Sequence, residues 1–106
     1  MPDNETLTVE GDAISWEQRC LNRLSRRPFT LIDSEPGGRD GRWFLALYAP
    51  PLGPIATIAV HVESVTSTES RITIEVELLA IRAMSCRSRT ARKVVNRTRG
   101  RLVGLS

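Results

Sequence analysis

Only one histidine occurs in the 106 residues, His61, and it stands two positions from Glu63 in an alternating stretch Ile58-Ala59-Val60-His61-Val62-Glu63. Imidazole is the one side chain whose ordinary pKa suits proton transfer near neutrality, and a carboxylate beside it is the usual way to orient and charge it. If a second strand runs antiparallel next to this one, Glu75 or Glu77 falls within reach, and His61 becomes a weak candidate general base. A solvent-facing histidine among carboxylates is the plainer alternative. No motif places a nucleophile: Ser85, Cys86 and Ser88 have no base near them in sequence.

A second chemistry is anion binding. From Arg82 to Arg101 the chain carries eight positive charges and no acid. Residues 1–77 hold all twelve acids and seven arginines, net −5, so the +3 chain is a dipole with a +8 C-terminal quarter. Fourteen of the fifteen bases are Arg, whose planar fork matches phosphate or carboxylate oxygens, although a GC-rich genome produces the same bias. The candidate contacts are Arg89, Arg92, Lys93, Arg97, Arg99 and Arg101. A solvated helix face kept positive for solubility is the competing explanation. A third is that these arginines meet the acidic face of another copy, giving a homo-oligomer.

Other constellations carry less. Pro36-Gly37-Gly38-Arg39-Asp40-Gly41 has amides and an arginine for a phosphate but lacks the spacing of the phosphate-binding glycine motifs, and hairpin-turn chemistry accounts for it. Trp43, Phe44 and Tyr48 are candidates for stacking on bases, yet alternate across two faces of a strand, as core aromatics do. Cys20 and Cys86, 66 residues apart, show no metal or redox spacing. They read as partly buried thiols, with a single disulfide as the alternative. No metal ligands and no cofactor are indicated.

These residues need elements to hold them. Trp16, Cys20, Leu21 and Leu24 repeat at helical spacing from Ile14 to about Arg26, with Asp12 as N-cap and Pro28 as stop. Phe29–Asp33 and Arg42–Tyr48 read as a hairpin, and Ile55–Thr66 and Arg71–Arg82 as a longer one turning at 67–70. In the longer pair Ile58, Val60, Val62, Ile72, Ile74, Val76 and Leu78 share one face, opposite His61, Glu63, Thr73, Glu75 and Glu77. From about Ser88 to Gly104, Ala91, Val94, Val95, Thr98, Leu102 and Leu105 gather on one helical stripe with the cations opposite. The uncharged stretch from Trp43 to Val62 is long enough to cross a bilayer, but Pro50, Pro51, Gly53 and Pro54 divide it into two strands and a stiff loop.

The expected fold is therefore α+β: an antiparallel sheet of about four strands, an N-terminal helix, and a long C-terminal helix packed on one face. Residues 1–12 are expected as a flexible leader, with at most a short strand at Thr6–Glu10, and 13–106 as a single domain. The acidic start carries no secretion signal, which leads to an expectation of a cytoplasmic protein with no transmembrane segment.

The strand Arg42-Trp43-Phe44-Leu45-Ala46-Leu47-Tyr48, the loop Pro51-Leu52-Gly53-Pro54, the strand Arg71-Ile72-Thr73-Ile74-Glu75-Val76-Glu77-Leu78 and the helix from Ser88 together resemble the C-terminal half of the START-like, polyketide-cyclase superfamily with its helix-grip fold. The likeness covers about two-thirds of the chain. It implies an apolar small molecule held between sheet and helix, on Val94, Val95 and Leu102. Three functions from different classes are thus expected, one of them an enzyme that uses His61 with a neighbouring Glu. Another is a non-catalytic binding or adaptor module that docks its Arg-rich helix on nucleic acid or an acidic protein surface. The third is a START-like carrier of an apolar ligand.

Overall fold

The structure, a computed structural model, describes residues 3–36, 41–49, 55–79 and 87–103. Seven elements follow one another: β1 (Asp3–Glu10), α1 (Ala13–Leu24), β2 (Phe29–Pro36), β3 (Arg42–Tyr48), β4 (Ala56–Thr66), β5 (Glu69–Leu78) and α2 (Arg87–Val103). The protein is α+β, with two helices and a five-stranded antiparallel sheet in the order β1-β5-β4-β3-β2.

The fifth strand is the difference from the sequence reading. Residues 3–10, expected as a loose leader with a short strand at Thr6–Glu10, pair along their whole length with β5, from Asp3 opposite Val76 to Glu10 opposite Glu69. On this strand Glu5, Leu7 and Val9 are half-buried and alternate with exposed polar residues. That is weak amphipathicity in sequence, but enough for an edge strand that has one neighbour supplying its backbone partners. Two further boundaries shift. β2 runs past Asp33 because an irregularity between Leu31 and Asp33 turns out Ile32 and returns Ser34 to the inner face opposite Phe44. The β4–β5 turn is tighter than expected, since Thr66 already pairs with Glu69.

The alternating residues sort as their periodicity dictates. Phe44, Ala46, Ile58, Val60, Val62, Ile72, Ile74 and Val76 are at most 1 % exposed and form one core cluster with Trp16, Cys20 and Leu24 of α1 and Val94, Val95 and Leu102 of α2. α1 packs over β2 to β5, α2 over β5 and β1, and the helices touch each other. Core residues Ser70 and Thr98 carry the two buried hydroxyls. Ser70 donates to the Gly11 carbonyl at 2.8 Å, and Thr98 donates back along its helix to the Val94 carbonyl at 2.8 Å, so neither leaves an orphaned donor.

The start of α1 is capped locally and tied to the sheet at two points. Asp12 caps the helix, its carboxylate accepting from the Ser15 amide at 3.2 Å and the Ser15 hydroxyl at 2.8 Å. These bonds favour the charged form and lower the Asp12 pKa below its usual 3.8. Gly11 donates its N–H to the Thr68 carbonyl at 2.7 Å, at the far end of the β4–β5 hairpin. The Trp16 indole donates to the Glu10 carbonyl at 2.8 Å, which fixes the large ring over the junction of β1 and α1.

One glycine is required by close approach. Gly41 opens β3 at φ 97°, and a Cβ there would lie 2.1 Å from the Val62 carbonyl oxygen on the next strand. Backbone cannot yield as a flexible side chain can. Gly41→Ala is expected to lower stability by about 2 kcal/mol or more with the fold retained, read as a shift of the urea midpoint at unchanged slope.

Candidate anion-binding face and the sites around it

α2 is anchored by one side. Ala91, Val94, Val95, Thr98 and Leu102 are buried, five of the six residues that the wheel gathered; the sixth, Leu105, lies outside the described residues. Anchoring that stripe fixes where the cations go. Arg89, Arg92, Lys93 and Arg97 are exposed, and none of the four has an ion-pair partner among the described residues.

The other two sequence candidates are occupied within the chain. Arg99 makes an ion pair with Glu5 of β1 at 3.1 Å, and the second Glu5 oxygen is buried without a hydrogen bond. Arg101 donates to the Arg27 carbonyl and lies over the Phe29 ring, 5.8 Å from its centroid. The six cations that a helical wheel treats alike therefore divide into four that face outward and two that tie α2 to β1 and to the entrance of β2. Nothing in the wheel separates them, because the deciding neighbours are distant in sequence, Glu5 94 residues from Arg99 and Arg27 74 from Arg101.

The charges of α2 are unbalanced from its first turn. No acid stands in its first turn, which holds Arg89 at the end where the aligned peptide dipoles are already positive. That arrangement costs helix stability and concentrates positive potential at one end of the exposed face.

His61 sits on the opposite, uncovered face of the sheet. The register places Thr73 across from it on β5, Glu75 across from Ala59 and Glu77 across from Thr57, so neither candidate carboxylate is its direct cross-strand neighbour. Glu63 is engaged with Arg71 at 2.9 Å. On the β3 side His61 lies opposite Trp43, and the two rings stack with centroids 4.5 Å apart and planes 19° from parallel. Of the three aromatics considered for base stacking, Phe44 and Tyr48 are core; only Trp43, 38 % exposed, reaches the surface, with one face covered by the imidazole.

The three residues that an apolar ligand would touch, Val94, Val95 and Leu102, belong to the packed core cluster. The glycine-rich turn at 37–40 and the segment with Ser85 and Cys86 lie outside the described residues. No helix is long and apolar enough to cross a membrane, and no group of three or more potential metal ligands occurs among the described residues.

Sequence reasoning missed Arg42. It stands on the inner sheet face beside the core, its guanidinium 5.3 Å from the Phe44 centroid and donating to the Ser34 hydroxyl at 3.3 Å, while its Nε is buried without a partner. The alternation of β3, in which Arg42 shares parity with Phe44 and Ala46, was the available signal.

Cys20 is a free thiol at the centre of the core. Burial pushes its pKa from 9.0 up to about 12, because the thiolate would lose its hydration, and a neutral buried thiol is a poor nucleophile. A folded-state pKa above the unfolded one contributes stability that is complete below pH 9 and is lost as pH rises toward 12. Cys20→Ala is therefore expected to flatten part of the fall in stability between pH 9 and 11. In a Cys86→Ser background, Cys20 should react with a thiol reagent at pH 8 only after denaturation.

Comparison with protein-family models and with curated proteins finds no match for this chain, so its functional reading rests on its own residues.

Proposed function

We propose that the protein is a non-catalytic binding module that docks the outward cations of α2 on the phosphate backbone of a nucleic acid. The observation that carries this reading is the division of labour on α2. Its apolar stripe is fixed in the core, Arg99 and Arg101 are engaged within the chain, and Arg89, Arg92, Lys93 and Arg97 remain exposed on a rigid helix. A helix needs neither four unpaired cations nor a positively charged first turn to cover a sheet; both oppose its stability, and an external polyanion relieves both.

As a likeness of fold, the helix-grip resemblance is supported by connectivity. A helix follows β1, a meander β2-β3-β4-β5 follows the helix, β1 pairs beside β5, and the last helix lies with the first against one sheet face. The apolar-ligand function that goes with that likeness gains no support from Val94, Val95 and Leu102, which are fully engaged in packing.

Four phosphate contacts correspond to a slope of about −3.6 in log K against log salt on duplex DNA, or roughly a 150-fold loss between 50 and 200 mM. Fluorescence anisotropy with labelled duplex DNA and single-stranded RNA should give such a slope with little sequence preference. Changing Arg92, Lys93 and Arg97 together to Gln should abolish binding while leaving thermal stability equal to or slightly above that of the parent. Unaltered binding by that variant would sink the reading. Absence of nucleic-acid binding at 50 mM salt, with salt-sensitive self-association instead, would replace it by contact between α2 of one copy and the sheet face of another that carries Glu75 and Glu77.

A further inference from the structure

At the seam between the helices the structure has a half-open cleft of about 280 Å³, lined by Arg23 of α1, Pro28 and Phe29 at the start of β2, and Arg97, Gly100 and Arg101 of α2. Four features set it apart from two other depressions lined by described residues. Arginines from two separate helices line it, and no carboxylate does. By contrast, the depression along α1 from Gln18 to Ser25 belongs to one helix, and the groove over Leu45, Thr57 and Ala59 is bordered by Glu75 and Glu77. Its floor is apolar, formed by Pro28 and the almost fully buried Phe29. Its rim includes the one α2 residue without a side chain: a Cβ on Gly100 would meet nothing within 4 Å, so the space above that glycine is open.

The three arginines are not equivalent. Arg101 is held in place by the Arg27 carbonyl and the Phe29 ring, so its charge is positioned before any ligand arrives. Arg23 and Arg97 have no ion-pair partner among the described residues, and their forks retain donors for an incoming anion. A volume slightly below the usual range of roughly 300–1,000 Å³ for small-molecule sites suits a compact ligand.

We infer that this cleft binds a phosphate monoester carrying a flat or apolar substituent, the phosphate between Arg23 and Arg97 and the substituent against Pro28 and Phe29. Such a group carries about −1.5 to −2 charges at pH 7 and three acceptor oxygens, so it engages the donors of two arginine forks more fully than a single carboxylate does. The site adjoins the docking face proposed above and shares Arg97 with it. The same chemistry is presented by a free small ester and by the terminal phosphate of a single strand.

The test is titration of isotope-labelled protein, followed by amide NMR, with phenyl phosphate, inorganic phosphate, and a short oligonucleotide with and without a 5′-phosphate. Saturable shifts centred on Arg23, Phe29, Arg97 and Gly100, stronger for phenyl phosphate than for inorganic phosphate, are the expected result. A preference of tenfold or so for the 5′-phosphorylated strand assigns the strand end as source; equal binding of the two strands with retained phenyl phosphate binding assigns the free ester. Gly100→Leu fills the open space without changing charge and should abolish phenyl phosphate binding while leaving salt-dependent duplex binding intact. Gly100→Ala should fold at least as stably as the parent, since a helical glycine is replaced where there is room. Arg23→Gln should weaken phenyl phosphate about tenfold, whereas Arg92→Gln with Lys93→Gln should leave it within twofold and weaken the duplex. Undiminished phenyl phosphate binding by folded Gly100→Leu or by Arg23→Gln, or shifts spread along α2 that vanish with Arg92 and Lys93, overturns the assignment. Should Gly100→Leu fail to fold, Arg23→Gln decides.

Discussion

The pairing of β1 with β5 is the constraint on which the other features depend. It joins residues 3–10 to residues 69–76 and so closes the chain on itself. Once β1 lies beside β5, Gly11 reaches the Thr68 carbonyl, Trp16 reaches the Glu10 carbonyl, and α1 can start only over the end of the β4–β5 hairpin. The same pairing sets Glu5 beneath α2, where Arg99 meets it. Without β1, α2 would have only β5 and α1 to rest on, and its rotation about its own axis would lose a fixed reference. The outward direction of Arg92, Lys93 and Arg97 is thus a remote consequence of backbone hydrogen bonds at the sheet edge.

Much of this architecture was legible in the sequence, and for one reason. Residues buried on a single face leave a period, two for a strand and 3.6 for a helix, and α1, β3, β4, β5 and α2 all show it. Trp16, Cys20 and Leu24 mark α1, Ile58 to Val62 mark β4, and Ala91 to Leu102 mark α2. β1 was legible only as a short strand at Thr6–Glu10, because its inward positions are Glu5, Leu7 and Val9, one of them charged and none fully buried. The extension of β2 escaped because the irregularity at Ile32 breaks the parity that reveals a strand.

The site was legible only in outline. Its helix and its cationic side could be read from residues three and four apart. Which cations remain outward depends on Glu5, Arg27 and Phe29, and neither charge pattern nor wheel contains that information. The expected neighbourhood of His61 met the same limit. Strand register decides whether a carboxylate faces it, and a shift of two residues separates the observed Thr73 from Glu75. Side chains that share a periodic element are visible locally; side chains that meet across the fold are visible only once the register and the closing strand are known.

The position of β1 also bears on how the chain matures during synthesis. Glu10 has its partner in Glu69 and Asp3 in Val76, so the first strand waits roughly 60 to 70 residues for its neighbour. At a translation rate of about 5–20 residues per second that interval lasts several seconds, during which α1 and the β2–β4 meander have emerged but the sheet has no closing edge. A topology dominated by such distant pairings folds slowly for its size, because loop-closure entropy is spent before the contacts that compensate it exist. The nascent protein therefore passes through a state in which the aliphatic face of β5 is translated and its cover, α2, is not, and it is in that interval that a ribosome-associated chaperone would find its surface.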